Sequence, residues 1–305
     1  MIESRLGSVT WFLIIALALL WGGSFLAIRT ALDEIPPLSS VSHRVLWAAL
    51  ALWGIVVLRG IAVPTSPRLW GAFLIMGLLN NVIPFGLMAW GQLHVEVGVT
   101  AILNASTAIW GVLIAAVFFA DEKLTSSRLI GVTIAFAGVV TVVGPGHILG
   151  ASLKSFGHLA ILAGTLSYAL ASSWARAYLG GVTPVVAAAG MLTGSTLVTL
   201  PLAVALEGPL TLSLEVSTWL AIGYYSLAGT ALAYILYYSI LSRAGAGLTL
   251  LVTLLIPPVT IVLGTWVRQE QLSWHAFLGF SVIALGLVIV SRGLSFGRRH
   301  APRID

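Results

Sequence analysis

The chain has 305 residues, 59% of them hydrophobic and 8% charged, with a mean hydropathy of +1.04. Soluble domains carry about 25% charged residues, so lipid must solvate most of this surface. There is no cysteine, which excludes disulfides, iron–sulfur clusters and thiol nucleophiles. The net charge of +5 is gathered into no basic face, so the chain shows no nucleic-acid-binding surface.

Apolar runs broken by Pro, Gly and charge predict ten spans: 10–29, 38–58, 69–91, 96–119, 127–144, 157–176, 184–205, 216–239, 245–267 and 275–291. Their lengths suit helices that cross hydrocarbon, and none alternates like a barrel strand. No small-residue cleavage site follows the first run, so it reads as a span and not as a removed signal. The linkers leave no room for a soluble domain. Residues 294–305 read as a basic cytoplasmic tail.

An even number of spans puts both termini on one side. That side then holds Arg5, Arg59, Arg68, Lys123, Arg128, Arg176, Arg243, Arg292, Arg298, Arg299 and Arg303. The other side holds only Arg29, Arg44, Lys154 and Arg268. The asymmetry predicts cytoplasmic termini.

The two halves also match each other. At an offset of 148, Glu122 meets Glu270, Leu124 meets Leu272, Gly131 meets Gly279, Gly138 meets Gly286 and Trp90 meets Tyr238. At 147, Trp21 meets Tyr168, Arg29 meets Arg176 and Pro37 meets Pro184. The expected units are residues 1–145 and 153–293. Five spans in each would enter the membrane from opposite sides, giving the inverted repeats of many secondary transporters.

The segments "WGGSF" (21–25), "HRVLWAALAL" (43–52), "NNVIPFGLMAWGQ" (80–92), "DEKLTSSRLIGVTIAFAGVV" and "QEQLSWHAFLGFSVIALGLV" resemble the drug/metabolite transporter superfamily, and within it the ten-span EamA-type permeases. The resemblance covers nearly the whole chain. It implies an exporter of small organic solutes, similar to amino-acid exporters including aromatic ones. In such proteins a proline precedes the repeat's Glu by about 13 residues. Pro257 obeys, whereas Ile109 stands there in the first half, which predicts a straighter fourth span.

Several residues are candidates for function. Pro84 removes a backbone hydrogen bond, and Asn80 and Asn81 are placed to meet the freed carbonyl, a solute or a neighbouring helix. Pro257 and Pro258 make a second break, with Thr253 one turn before. Pro84 and Pro257 are therefore candidate flexing points. Trp90, Tyr237, Tyr238 and Trp70 fit an interfacial belt. Trp21, Tyr168, Tyr234 and Trp110 lie deeper, and their apolar bodies and polar tips suit amphipathic solutes. With Asn104 and Trp90 they complete the candidate substrate contacts.

Arg44, one turn into span two, either attracts a carboxylate, pairs with a Glu or snorkels to the interface. No Asp or Glu lies at mid-span, which disfavours obligatory proton coupling. "GMLTG" at 190–194 is a small-xxx-small pattern read as packing within the chain. Glu122 and Glu270 read as structural: caps of the following helix, or ion pairs between helix ends.

No phosphate-cradling loop, zincin motif or nucleophile elbow is present, and the six His residues form no metal-binding spacing. The expected protein is a monomeric inner-membrane transporter, not an enzyme, with no cofactor. It would bind a small solute at mid-membrane and work by alternating access, with spans one, three, four, six, eight and nine lining the cavity. A lipophilic-cation exporter and a nucleotide-sugar or phosphosugar antiporter are the alternatives within the same fold; a membrane enzyme or a structural subunit fits less well.

Overall fold

The computed structural model describes residues 8–120, 122–144 and 151–297, with the side chains of 244–251 and 291–297 excepted. All regular structure among them is helical. The elements are α1 (Ser8–Ala31), α2 (Pro37–Leu58), α3 (Pro67–Gly91), α4 (Val97–Phe118), α5 (Ser126–Val143), α6 (Leu153–Tyr178), α7 (Pro184–Glu207), α8 (Val216–Arg243), α9 (Val252–Arg268) and α10 (Trp274–Gly297). Seven of them, α1–α5, α7 and α8, are long and apolar enough to cross a membrane.

Local sequence sets the helix starts. Pro37, Pro67 and Pro184 open α2, α3 and α7, where a missing N–H costs nothing. Thr125 and Ser152 cap α5 and α6 through their hydroxyls, as expected of N-cap residues.

Two helix boundaries differ from expectation. The sequence predicts a basic tail from residue 294, but α10 continues to Gly297; residues 298–305 lie outside the described part. It also predicts a linker between spans eight and nine, whereas residues from Val216 to Arg268 all have helical backbone and the change of direction falls inside that run. That run is not straight. The Tyr224 hydroxyl reaches the Leu20 carbonyl and the Thr260 hydroxyl reaches the Gly22 carbonyl. At 1.5 Å per residue those two side chains would otherwise stand about 54 Å apart. The chain therefore doubles back within the run, and α8 and α9 both lie along α1.

The fourth span also departs from expectation. α4 is interrupted at Ala105–Ser106, where Ala105 N–H and Ser106 N–H turn back to Ile102 and Leu103. No proline is needed, because hydroxyls satisfy the broken turn. Thr107 donates to the Asn104 carbonyl (2.8 Å), and Ser106 meets Thr165 of α6 (3.0 Å). The helix continues through Pro257 and Pro258. The interruption thus falls in the fourth span, where the sequence has no proline.

Between helices, glycine lets backbones touch. On α5 and α10, a Cβ at Gly131 would lie 2.7 Å from the Gly286 carbonyl, and one at Gly138 would lie 2.6 Å from the Ile283 N–H. The small residues of "GMLTG" pack inside the chain: Gly190 lies against Phe73 and Gly194 against the Leu74 backbone. With little hydrophobic drive between helices in lipid, such close approach supplies the packing energy.

Gly138→Leu is therefore expected to destabilise the protein by about 1–3 kcal/mol through overpacking. Gly111→Leu, where nothing lies within 4 Å, should be near neutral. Thermal unfolding of the two variants in detergent checks this.

Candidate functional site

The site begins with two wide turns at equivalent positions of the two halves. α3 carries a π turn over Leu78–Val82, and α8 one over Tyr224–Leu232. In α3 the cause is Pro84. A π turn would bond the residue-84 N–H to the Leu79 carbonyl, and proline has none. Ser167 of α6 takes that place, donating to the Leu79 carbonyl at 2.7 Å. Asn80 and Asn81 do not meet that carbonyl; of the roles expected of them, the structure shows hydrogen bonds to neighbouring helices. In α8 the Thr230 hydroxyl donates to the Tyr225 carbonyl at 2.7 Å and holds the turn open. Wide turns of this kind are concentrated at functional sites.

These turns bring a polar cluster together between α2, α3, α6, α7 and α8. Asn80 Nδ2 donates to Tyr234 Oη (2.9 Å), Tyr234 Oη donates to Asn81 Oδ1 (3.1 Å), and Asn81 Nδ2 donates to Ser195 Oγ (2.9 Å). Asn81 is fully buried, so this knot holds the helices together; Asn80 and Tyr234 keep accessible surface. An apolar crevice of about 50 Å³ adjoins Tyr234, lined by Leu52, Pro184, Val185, Ala188, Ile235 and Tyr238.

Arg44 does not snorkel, and among the described residues it pairs with no carboxylate. It turns inward, its Nε donating to Thr230 Oγ1 at 2.8 Å, and its guanidinium lies 3.7 Å from the centre of the Phe85 ring. Phe85 in turn meets Tyr168 edge to face at 6.3 Å. Tyr168, Tyr225 and Tyr234 are all near enough to Arg44 to interact electrostatically. The Arg44 side chain is surrounded by protein yet keeps accessible surface, as a cavity-lining group does.

The other sequence-predicted residues lie apart from this cluster. Trp21 packs against Tyr237 at 5.9 Å and abuts the core that Tyr168 also touches. Trp90 meets His94 edge to face at one end of α3. Trp110 packs edge to face on Phe136 of α5. Asn104 sits at the α4 break, and Thr253 lies near the start of α9. Pro84 and Pro257 are both buried. Sequence reasoning missed Phe85, Thr230, Ser167 and Ser195. All are common residues in an apolar run, and only the π turns single them out.

One end of the bundle is closed by carboxylates that reach across the chain's two halves. Glu207, ending α7, accepts from Leu38 N–H (2.9 Å) and from Ser39 N–H (2.7 Å) at the start of α2. Glu270 accepts from Val97 N–H (2.8 Å) and Gly98 N–H (3.2 Å) at the start of α4. Glu34 accepts from Glu215 N–H (3.1 Å), just before α8. Ion pairs join Asp33 to Arg268 (2.7 Å) and Glu96 to Lys154 (2.6 Å). Glu270 therefore caps a helix of the other half and not its own. Its counterpart Glu122, at the opposite end, makes ion pairs with Arg128 (3.1 Å) and Arg176 (3.5 Å).

The sequence matches the EamA-like transporter family twice, over residues 9–144 and 155–292. The chain belongs to that family. This EamA-like protein is 27% identical over 279 residues to the inner membrane transporter YedA of Escherichia coli K12, covering 91% of this chain and 89% of YedA. It is 26% identical to the protein PagO of Salmonella typhimurium, covering 92% of this chain and 93% of PagO. A solved crystal structure, 19% identical, superposes with a TM-score of 0.68 over 97% of this chain and 99% of that one, which is a likeness of fold.

Because the chain lacks cysteine, Ser42→Cys is a clean reporter of this closed end; Ser42 is fully buried one turn below the Glu207 contacts. Glu207→Ala and Glu270→Ala each remove charge-assisted bonds worth about 1.5–3 kcal/mol. In the Ser42→Cys background, each should raise the rate at which the introduced thiol reacts with a membrane-impermeant maleimide at least several-fold. An unchanged rate would deny the carboxylates a closing role.

pH tests the ion pair. Burial alone would raise the Asp33 carboxyl, but the hydrogen bond from Arg268 and the charge of Arg29 outweigh it and hold the group below its usual range. A depressed carboxylate stabilises the fold above its ordinary value, about 3.9, and loses that effect as pH falls through the folded value. The difference in thermal midpoint between the parent and Asp33→Asn should therefore be largest at neutral pH and shrink below about pH 4.

Proposed function

We propose that this EamA-like protein spans the inner membrane ten times and exports small organic solutes of the amino-acid class by alternating access. The observation that carries the reading is the polar, aromatic cluster around Arg44, Asn80, Tyr168 and Tyr234, set where the two halves meet in an otherwise apolar bundle. Polar groups at such depth mark substrate paths. The double family match supports two five-helix repeats, and so does the symmetry of the packing. α2 lies against α7 and α5 against α10, while α1–α9 and α4–α6 form an equivalent pair of contacts.

The termini are cytoplasmic in this reading, by the distribution of Arg and Lys. The carboxylate-capped end is then the outer face, and the state seen is closed to the outside. Opening outward would separate five sets of contacts between the halves: those made by Glu207, Glu270 and Glu34, and the Asp33–Arg268 and Glu96–Lys154 pairs. Inverted-repeat carriers work by such rocking of one half against the other.

Arg44 argues against a lipophilic-cation pump, since a buried guanidinium repels a cation. Among the described residues it is the sole cation at this depth, whereas a phosphosugar or nucleotide-sugar site would gather several.

Proteoliposomes loaded with a panel of radiolabelled amino acids, with and without a proton gradient, test the proposal. At least one solute should leave faster than from protein-free controls. Tyr168→Ala should slow that flux at least tenfold at equal protein abundance. No flux for any member of the panel sinks the reading.

A further inference from the structure

The Arg44 side chain uses only part of its hydrogen-bonding capacity. A guanidinium has five N–H donors. Nε is bound to Thr230, and Thr230 is itself fixed by the Tyr225 carbonyl. Neither Nη atom donates to a protein group among the described residues, and neither is sealed away from accessible space. The guanidinium carbon lies over the Phe85 ring, 3.7 Å from its centroid, which limits how the fork can turn. No acidic side chain pairs with it among the described residues. A charge held at this depth is costly unless something of opposite sign meets it.

Tyr168 stands beside it with a free hydroxyl. It is near enough to Arg44 to interact electrostatically, it contacts Phe85 edge to face at 6.3 Å, and its hydroxyl makes no hydrogen bond among the described residues. The neighbouring phenols are already engaged: Tyr225 with Ser40, Tyr234 with Asn80 and Asn81. The arrangement is a planar, oriented fork with one free hydroxyl beside it and aromatic walls.

We infer that Arg44 and Tyr168 form the carboxylate-binding subsite of the solute path. The two Nη groups would bind both oxygens of one carboxylate, and the Tyr168 hydroxyl would donate to one of them. Bidentate guanidinium–carboxylate pairs are short, planar and about twice as strong as neutral hydrogen bonds. The solute's apolar part would lie against Phe85 and Tyr234. Thr230 positions the fork from behind. This inference rests on the transport reading only in that the path is open to solute; binding itself is measured without flux.

The test uses the full-length protein purified in detergent, with tryptophan fluorescence titrated by four probes of one shape: 3-phenylpropionate, its primary amide, 2-phenylethylammonium and phenyl phosphate. Wild type should bind the carboxylate at least tenfold tighter than the amide, and the ammonium most weakly. Arg44→Gln should lose at least tenfold in carboxylate affinity and leave the amide unchanged, which also shows that the variant is folded. Arg44→Lys, keeping charge without the fork, should fall between. If Arg44→Gln does not purify as a single species, Tyr168→Phe replaces it, with an expected loss of several-fold for the carboxylate alone.

Equal wild-type affinity for carboxylate and amide overturns the inference, as does no carboxylate binding at millimolar concentration. Tighter binding of phenyl phosphate than of the carboxylate overturns the carboxylate assignment in favour of a phosphate site. Carboxylate-selective binding without flux in liposomes upholds the subsite and rejects the transport reading. Flux without selectivity does the reverse.

Discussion

A polar group facing hydrocarbon must find its partner inside the protein, and this bundle is organised by that requirement. Pro84 leaves the Leu79 carbonyl without a backbone donor, and Ser167 supplies one from α6. Thr230 holds open the α8 turn and then receives Arg44. The α4 break is answered by Thr107 and by the Ser106–Thr165 contact. In each case a local defect in one helix is satisfied largely by hydroxyls, and each set of contacts reaches a neighbouring helix. The defects thereby become joints that connect α3 to α6, α4 to α6 and α8 to α2. A bundle of unbroken apolar helices would pack as well, but it would have no polar interior in which a solute could be held.

The same requirement acts differently at the helix ends, where water is near. There the unmet groups are the first N–H groups of α2, α4 and α8. Their own N-cap residues, Pro36, Glu96 and Glu215, provide no side-chain cap. Carboxylates from elsewhere do so, and each comes from the other half of the chain. A cap within one helix would have been indifferent to how the halves are arranged. A cap from the other half ties helix stability to one arrangement of the two. The closed end is thus coupled to the helix starts below it, whose next turns on α2 carry Ser42 and Arg44.

Much of this was legible in the sequence. Hydropathy and helix breakers place most of the helices, and Glu-x-Leu followed by spaced glycines marks the seam of α5 and α10. Asn80, Asn81, Tyr168 and Tyr234 stand out as polar residues in apolar runs, and the structure groups them. What could not be read is direction. Trp110 has the same apparent depth as Tyr168, yet it faces α5 and not the cluster. A rotation of about 100° per residue separates the two outcomes, and π turns shift it further, so neither depth nor residue type decides. Glu270 shows the same limit. Its position suggests a cap on the helix that follows, but the hydroxyl or carboxylate that caps a start is chosen by which chain ends lie together, and that is a tertiary fact. Ile109 misled for a related reason: proline is one way to break a helix, and a Ser-Thr pair with a partner across the interface is another.

Charge scarcity itself carries the last step. With charged residues at 8% of the chain, nearly every described one in a turn has a ready explanation as a cap, an ion pair or a basic group at a helix end. Arg44 has none of these. Its neighbours stabilise its position without neutralising it: a threonine oxygen, an aromatic face and nearby phenols. Apart from the Thr230 bond, the packing there does not call for a guanidinium, since a methionine or leucine would fill similar volume at lower cost in desolvation. One hydrogen bond to Thr230 ties α2 to α8 but leaves the positive charge without a counter-charge among the described residues. An anion moving between the halves would be the missing counter-charge, present when the path is occupied and absent when it is not. The stability of the occupied state would then depend on the solute, which is what couples binding to a change between two arrangements.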